Sequence, residues 1–427
     1  MRRVSTILLL VLASCLCSGA AFGSGFSIFE QGAKASGMAG AFVATADDPS
    51  AIFYNVAGLA QQREFTLLGG ATFINFTNQF TGDRNDPFTA GATGKFERHL
   101  FIPPNGYGIL PIGDNITVGV GMFTAYGLRT DWEDPWVGRF ISRDVNLKTV
   151  SLQPSIAWRT SNDKLAIGAG VEYRRARVTL SRNNGFLSPL DGRIYDVANA
   201  YLSGDWDSGI GYNVGILLKP TPTLRFGASY RTDMDIDFEG DADITQIPTG
   251  TPALDALIAT QLPPDQPINL TLPFPATLSV GVATSAIPTW DVEFDVTHTT
   301  WSRFKTLQVN FEQTPAFNLV RPQNWEDTMS FRLGANKHAT ENIDIRLGAV
   351  FDQNPQPTEA VSPLLPDADR TGVTVGLGWR HGPFIVDVSN MFLFFADRDT
   401  EGRSAEGFNG EYKTTANLFS LNFGLRF

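Results

Sequence analysis

Cysteine is almost missing from this chain of 427 residues: Cys15 and Cys17 are its only two. Both lie in an apolar leader. Arg2 and Arg3 precede Ile7–Leu12, and small residues follow, which is the layout of a secretory signal peptide. Ala21-Phe22-Gly23 places cleavage before Ser24, so residues 1–23 are the expected leader. The mature chain then has no thiol, which excludes disulfides and thiolate metal sites. Leu12-Ala13-Ser14-Cys15 also resembles a lipoprotein box, an alternative that leaves a lipidated Cys15. Histidine is scarce as well, with only His99, His298, His338 and His381. No His-Glu-x-x-His, Gly-x-Ser-x-Gly or Gly-Lys-Ser/Thr occurs, so metalloprotease, serine-hydrolase and phosphate-loop chemistry lack their residues. Asp367-Ala-Asp-Arg-Thr-Gly372 echoes a calcium loop but lacks its bidentate glutamate. An enzyme is therefore not expected, nor a metal or cofactor. Beyond the leader no run of about 20 apolar residues appears, so helical membrane spans are excluded. Positive charge is short too: losing Arg2 and Arg3 takes the formal charge from −11 to −13. That balance opposes nucleic-acid partners and polybasic surface binding.

What the chain has is alternation. In Thr223–Glu239, Leu224, Phe226, Ala228, Tyr230, Met234, Ile236 and Phe238 share one parity. Arg225, Ser229, Arg231, Asp233, Asp235, Asp237 and Glu239 share the other. A strand puts alternate side chains on opposite faces, so one face is expected to be oily and the other charged. Fourteen such stretches are expected, near 65–80, 95–110, 115–127, 145–160, 163–182, 205–219, 222–239, 273–287, 289–311, 327–338, 341–352, 371–381, 383–396 and 414–427. Within 163–182 the apolar parity changes after Tyr173, the mark of a bulge or of emergence above a membrane. Short gaps such as Pro220–Thr221 and Gly382 alternate with long loops at 81–94, 128–144, 183–204, 240–272, 312–326, 353–370 and 397–413. Short turns on one side, long loops on the other and an even strand number describe an outer-membrane barrel. Closure also pairs every backbone group in lipid. The expected fold is all-β, a 14-stranded antiparallel transmembrane barrel over residues 65–427, in the Gram-negative outer membrane. Tyr126, Trp132, Trp136, Trp158, Tyr173, Tyr212, Tyr230 and Trp379 lie near strand ends, as interfacial aromatic belts require. The terminal Phe427 closes an alternating strand, which is the usual assembly signal of such barrels.

Residues 24–64 do not alternate. Small residues dominate, and Phe26, Ile28, Phe29, Phe42 and Phe53 are too apolar for a disordered tail. The segment is expected to plug the lumen. The chain carries Ser24-Gly25-Phe26, Ala46-Asp47-Asp48, Asn55-Val56-Ala57, Tyr126-Gly127-Leu128, Trp301-Ser302-Arg303-Phe304, Asn324-Trp325-Glu326-Asp327 and Pro366-Asp367-Ala368-Asp369-Arg370, in that order. In these motifs and their order it resembles the FadL family of outer-membrane transporters for long-chain fatty acids and other hydrophobic compounds. Val56 stands where the family has proline. The resemblance implies an N-terminal hatch, with Phe26, Asn55, Val56 and Ala57 among its working parts. It also implies a third strand kinked at Gly127, opening a lateral exit into the membrane.

A hydrophobic ligand needs apolar surface outside water and then a path into lipid. Leu254, Leu257, Ile258 and Leu262 fall on one helical face of loop 240–272, suited to capture. An acyl carboxylate needs a cation or N–H donors beside an apolar slot. By its place before Asn324-Trp325, Arg321 matches the family's carboxylate-binding base, and Arg182 is the looser second match. If neither serves, neutral aromatic or alkane hydrocarbons become the ligand. Arg225, Arg231, Arg332, Arg346, Glu172 and Glu293 are expected to pair across the lumen. The expected partners are a long-chain fatty acid or other hydrophobic small molecule and outer-membrane lipid, with the barrel working as a monomer. A lipid-modifying outer-membrane enzyme is the alternative from another class.

Overall fold

The computed structural model describes residues 25–188 and 192–427; the expected leader and Ser24 lie outside the described residues. Fourteen antiparallel strands close into one barrel. In chain order they are β1 (Thr66–Gly82), β2 (Pro104–Ile112), β3 (Ile116–Phe123, resuming as Gly127–Asp131), β4 (Asp144–Arg159) and β5 (Leu165–Leu187). Next come β6 (Ile194–Thr221), β7 (Leu224–Arg231 and Met234–Gln246), β8 (Gln266–Phe274 and Thr277–Ile287) and β9 (Trp290–Thr299 and Thr306–Phe311). Last are β10 (Thr328–His338), β11 (Ile343–Asp352), β12 (Arg370–His381), β13 (Phe384–Phe395) and β14 (Gly410–Arg426). β14 pairs along the whole of β1, from Thr66↔Arg426 to Gly82↔Gly410, so no edge is left open.

The strands outrun their expected ends on the long-loop side. β5 and β6 continue as a ribbon to Leu187↔Ile194, so the expected loop 183–204 shrinks to a hairpin tip. Loop 240–272 likewise loses both ends to β7 and β8. The expected strand 95–110 is broken into Thr93–Lys95, Leu100–Phe101 and β2. The expected strand 289–311 is interrupted by the turn Trp301–Arg303.

The side-chain pattern divides strands β4–β9 into two storeys. In the lower storey the oily face points outward. Leu152, Ile156, Val171, Tyr173, Phe226, Leu278, Val280 and Phe294 are exposed, while Ser151, Gln153, Glu172, Arg231, Ser279 and Glu293 are buried inside. That is the polarity of a wall in lipid. In the upper storey it inverts. Val145, Leu147, Leu180, Leu202, Ile236, Phe238, Ile268, Leu270, Leu272 and Val309 are buried inside. Lys148, Asp235, Asp237, Glu239 and Asp241 point out and are exposed. This corrects the single oily face expected over 223–239. β7 breaks at Thr232-Asp233, and the even-numbered residues, outward below, turn inward above.

Two further expectations change. Trp158, Tyr173, Tyr212, Tyr230 and Trp379 are exposed on the wall as a belt requires, but Tyr126, Trp132 and Trp136 are buried inside the barrel. The latter three pack against other rings, with Trp132 and Trp136 stacked at 4.0 Å. Of the lumen charges, Arg225 pairs with Asp291 (2.8 Å), Arg346 with Asp387 (2.6 Å), Arg332 with Asp352 (3.6 Å) and Arg231 with Glu172. Glu293 instead faces the N-terminal segment.

That segment, from Gly25 to the start of β1, packs among inward side chains all around the barrel. Asp295 accepts from the N–H groups of Phe42 (2.7 Å) and Val43 (3.0 Å). Glu293 accepts from Ala44 (2.6 Å) and Thr45 (2.9 Å). On other strands, Asn422 accepts from the Ala33 N–H (2.7 Å), Gln153 donates to the Ile52 carbonyl (2.9 Å) and Thr374 to Gly37 (2.9 Å). Its short helices Ala33–Gly37 and Ala51–Tyr54 and the turn Val56–Gln61 satisfy part of its backbone, while groups such as the N–H of Ala33 and of residues 42–45 have no partner within the segment. The barrel supplies those partners. Close approach requires bare backbone in the wall: a Cβ on Gly227 would collide with the Val43 carbonyl, and one on Gly168 would lie 2.7 Å from Val56.

Candidate ligand-binding site

The inverted upper storey encloses an apolar chamber. It is lined by Leu147, Leu180, Leu202, Leu270, Leu307 and Val309 among others, and holds about 800 Å³ of atom-free space, part of it open to solvent. A lining this apolar, with a few polar groups such as Gln323 and Gln356 at its edge, is the character of a site for a hydrophobic ligand.

Phe26 forms part of the chamber floor. Its ring meets Trp301 at 4.8 Å, Trp325 at 5.8 Å, Tyr126 at 5.9 Å, Phe274 at 6.0 Å and Phe304 at 6.2 Å. Arg174 lies over Tyr126 at 4.5 Å and is held by Glu172 at 2.7 Å, stiffening this cage from below. Preceding Phe26, the Gly25 N–H donates to Asp367 Oδ2 at 2.7 Å. Burial pushes the Asp367 carboxyl up to about 6, although Arg370 and the Gly25 N–H pull the other way.

β3 breaks at Thr124–Tyr126, and residues 26–28 pair with the break. The Ile28 N–H donates to the Ala125 carbonyl (2.9 Å), and the Gly127 N–H to the Phe26 carbonyl (2.9 Å). A Cβ on Gly127 would lie 2.9 Å from Ile28 Cδ1 and 3.0 Å from Phe101 Cζ, so the glycine lets the tips of both side chains pack against the backbone here. On the far side of residues 25–28 lies a second cavity, partly open to solvent, reaching His99, Phe101, Gly127 and Arg129. Phe26 lines the first cavity, and Gly25, Ser27 and Ile28 line the second. Residues 25–28 are thus the partition between them.

The two arginines expected to hold a carboxylate converge. Arg182 lies on the inward parity of β5, two residues beyond Leu180 of the chamber wall. Arg321, in the short strand Leu319–Pro322, is paired in register with Leu307 of the same wall. Arg321 Nε lies 3.2 Å from Glu406, and its Nη2 donates to the Ile141 carbonyl at 3.3 Å. Arg321 Nη1 and Arg182 Nε are buried and have no partner among the described residues. Burial pushes the Arg321 guanidinium down to about 10; Glu406 opposes the shift and the charge of Arg182 adds to it. Nothing in the sequence pattern pointed to Glu406, which comes from the loop after β13.

The other expected residues are placed as follows. Asn55 is buried and ties the N-terminal segment to itself and to β6: its Nδ2 donates to Val43 (2.8 Å) and Ile216 (3.1 Å), and its Oδ1 accepts from Ala57 (3.1 Å). Val56 and Ala57 begin the buried turn Val56–Gln61. Leu254 and Ile258 of the loop helix Pro252–Ala259 are buried against Val197, with Leu262 beside them. They pack loop on loop and form no open groove. Leu257 alone of the four is exposed.

An apolar-skinned barrel with a filled lumen and an oily chamber above it defines a class, the outer-membrane transporters of hydrophobic compounds. The family described as outer membrane protein transport protein (OMPP1/FadL/TodX) matches residues 14–427, and the chain belongs to it. A long-chain fatty acid transport protein of Escherichia coli O6:H1 is 26% identical, over 98% of each chain. A 47 kDa outer membrane protein of Pasteurella multocida is 26% identical over the full length of both. The crystal structure of a Pseudomonas aeruginosa FadL homologue superposes with a TM-score of 0.81 at 21% identity, covering 94% of this chain and 99% of that one. The toluene transporter TodX of Pseudomonas putida gives 0.74 at 17% identity, covering 95% and 99%.

Proposed function

We propose that this protein carries hydrophobic monocarboxylates, long-chain fatty acids above all, passively across the outer membrane. The observation that carries this is the pair Arg182 and Arg321 next to the chamber wall, two residues beyond Leu180 and opposite Leu307. One glutamate, paired with Arg321, faces two guanidinium charges, and the buried Arg321 Nη1 and Arg182 Nε have no partner among the described residues. That leaves one net positive charge and two N–H groups, the complement of a single carboxylate. The chamber takes the acyl chain. Residues 24–64 act as the hatch, and withdrawal of Phe26 joins the chamber to the cavity beside Gly127. The ligand then leaves sideways into lipid. Leu257 is the capture contact on the outer loops. Glu406 holds Arg321 until a ligand carboxylate competes for it.

A second reading is favoured by one observation: the ringed floor around Phe26 suits an aromatic hydrocarbon without any charge. Uptake of labelled oleate and toluene by intact cells separates the two. The protein should accelerate oleate entry, and R182Q/R321Q should remove most of that gain while leaving toluene unchanged. Acceleration of toluene alone would establish the hydrocarbon reading, and no acceleration of either would end both.

A further inference from the structure

The change of storey also fixes which outward residues lie at the lipid boundary. On β4 and β5 the last oily outward pair is Leu152↔Tyr173. The next outward positions upward are Val150↔Arg175 and then Lys148↔Arg177. Lys148 and Arg175 are exposed, Arg177 is half-buried, and none of the three makes an ion pair among the described residues. Lys148 and Arg177 are direct cross-strand partners on one face, an arrangement that costs stability unless a counter-charge is supplied. Arg177 Nε is buried without a partner. Arg175 donates to the Trp206 carbonyl (3.1 Å) and lies 5.6 Å from the Trp206 ring, itself exposed on β6. Most acids of the neighbouring wall are engaged elsewhere: Asp131 holds Arg129 (2.9 Å) and His99 (2.6 Å), Asp144 lies 3.7 Å from Arg129, and Asp207 accepts from the Glu239 N–H (3.2 Å). Asp205, exposed on β6 at the bulge opposite Arg177, sets one negative charge against the three positive ones, so the cluster keeps a net positive charge. Two strands away the outward face of β7 turns acidic, with Asp235, Asp237, Glu239 and Asp241.

We infer that Lys148, Arg175 and Arg177 form a docking seat for the phosphate groups of outer-leaflet glycolipid. The geometry suits that partner. The acyl chains lie against Leu152, Ile156 and Tyr173, and the phosphates meet three cations one to two residue pairs higher. Guanidinium groups take phosphate in bidentate fashion, and Lys148 adds a point charge. Lys148 also pairs in register with Gly127, so the seat adjoins the break in β3 and tethers lipid beside it.

The test uses the purified full-length mature chain in neutral detergent, with a chelator to remove bridging divalent cations. The probes are lipid A bearing both phosphates, the same lipid A dephosphorylated, and oleate. The wild-type protein should prefer the phosphorylated form. K148Q/R175Q/R177Q should bind it roughly tenfold or more weakly and lose the preference. Heat-modifiable migration on a denaturing gel shows that the variant barrel is folded. Equal binding of both lipid A forms by wild type, or no change in the folded variant, would overturn the seat. A loss confined to oleate would assign these cations to the leaving ligand and overturn it equally. Equal lipid A binding or an unchanged variant leaves the transport proposal untouched.

Discussion

Removing the Phe26 ring tests whether residues 25–28 are a partition held shut by packing. Phe26 is 5% exposed and touches five aromatic rings. Truncating a buried Phe to Ala costs about 3–5 kcal/mol in transfer and cavity terms. The closed arrangement bears this cost, whereas a released segment already exposes the ring. At about 1.4 kcal/mol per tenfold, a 4 kcal/mol loss shifts release by roughly a thousandfold. Residues 24–427 contain no cysteine, so in a chain of those residues S27C provides a unique thiol at the partition. Its reaction rate with a thiol reagent is compared with that of E401C, a loop position that is always exposed. The F26A background should raise the ratio of the two rates by two to three orders of magnitude, the range these costs allow. F26L should fall between, since it refills volume without the ring contacts. A ratio changed less than about threefold, in a barrel that still migrates as folded, would refute packing as the lock, because that is far below the cavity cost.

Asp367 makes the same partition pH-dependent. The closed state holds a proton up to about pH 6, whereas an unburied aspartate releases it near 3.8. Release should therefore become easier as pH rises through this window, by at most about 3 kcal/mol, and level off outside it. D367N should flatten that profile in the S27C assay. N55A strips hydrogen bonds from the Val43 and Ile216 carbonyls and the Ala57 N–H, two of them buried; it should loosen residues 43–57 by about 2–4 kcal/mol, read as faster amide exchange there with β6 unaffected. E406Q frees Arg321 from its counter-charge: laurate should bind several-fold tighter by calorimetry while dodecanol is unchanged, and weaker laurate binding would make Glu406 a positioning residue instead.

Strand number, closure and loop sidedness were legible because each follows from a period of two, and residues 25–64 stood apart because they lack it. β10–β14 lie within a few residues of where alternation put them, since those strands cross lipid at one parity. The two arginines were legible only through neighbouring motifs, and their partner Glu406 was not, because a loop residue that approaches from across the mouth leaves no spacing in the sequence. Leu254 and Ile258 show the converse. Their helical stripe was real, but a stripe states only that something covers it, and here the cover is Val197 on the adjacent ribbon.

The polarity inversion was half legible, and the difference lies in how each strand achieves it. β4 and β5 keep their parity throughout and exchange residue types: outward Tyr173 gives way to Arg175 and Arg177, and inward Glu172 and Arg174 to Ala176, Val178 and Leu180. That change of phase is visible in the sequence, and emergence from the membrane is its cause. β7 and β8 do the opposite. Apolar residues stay at even numbers from Phe226 to Phe238, and from Ile268 to Leu278, while breaks at Thr232-Asp233 and Pro275-Ala276 turn the backbone over. Unbroken alternation then conceals a reversed wall, and the acidic parity read as lumen is in its upper half the outer skin. The ligand chamber depends on both devices, because a wall that is oily toward lipid can hold an oily ligand only after its faces have changed places.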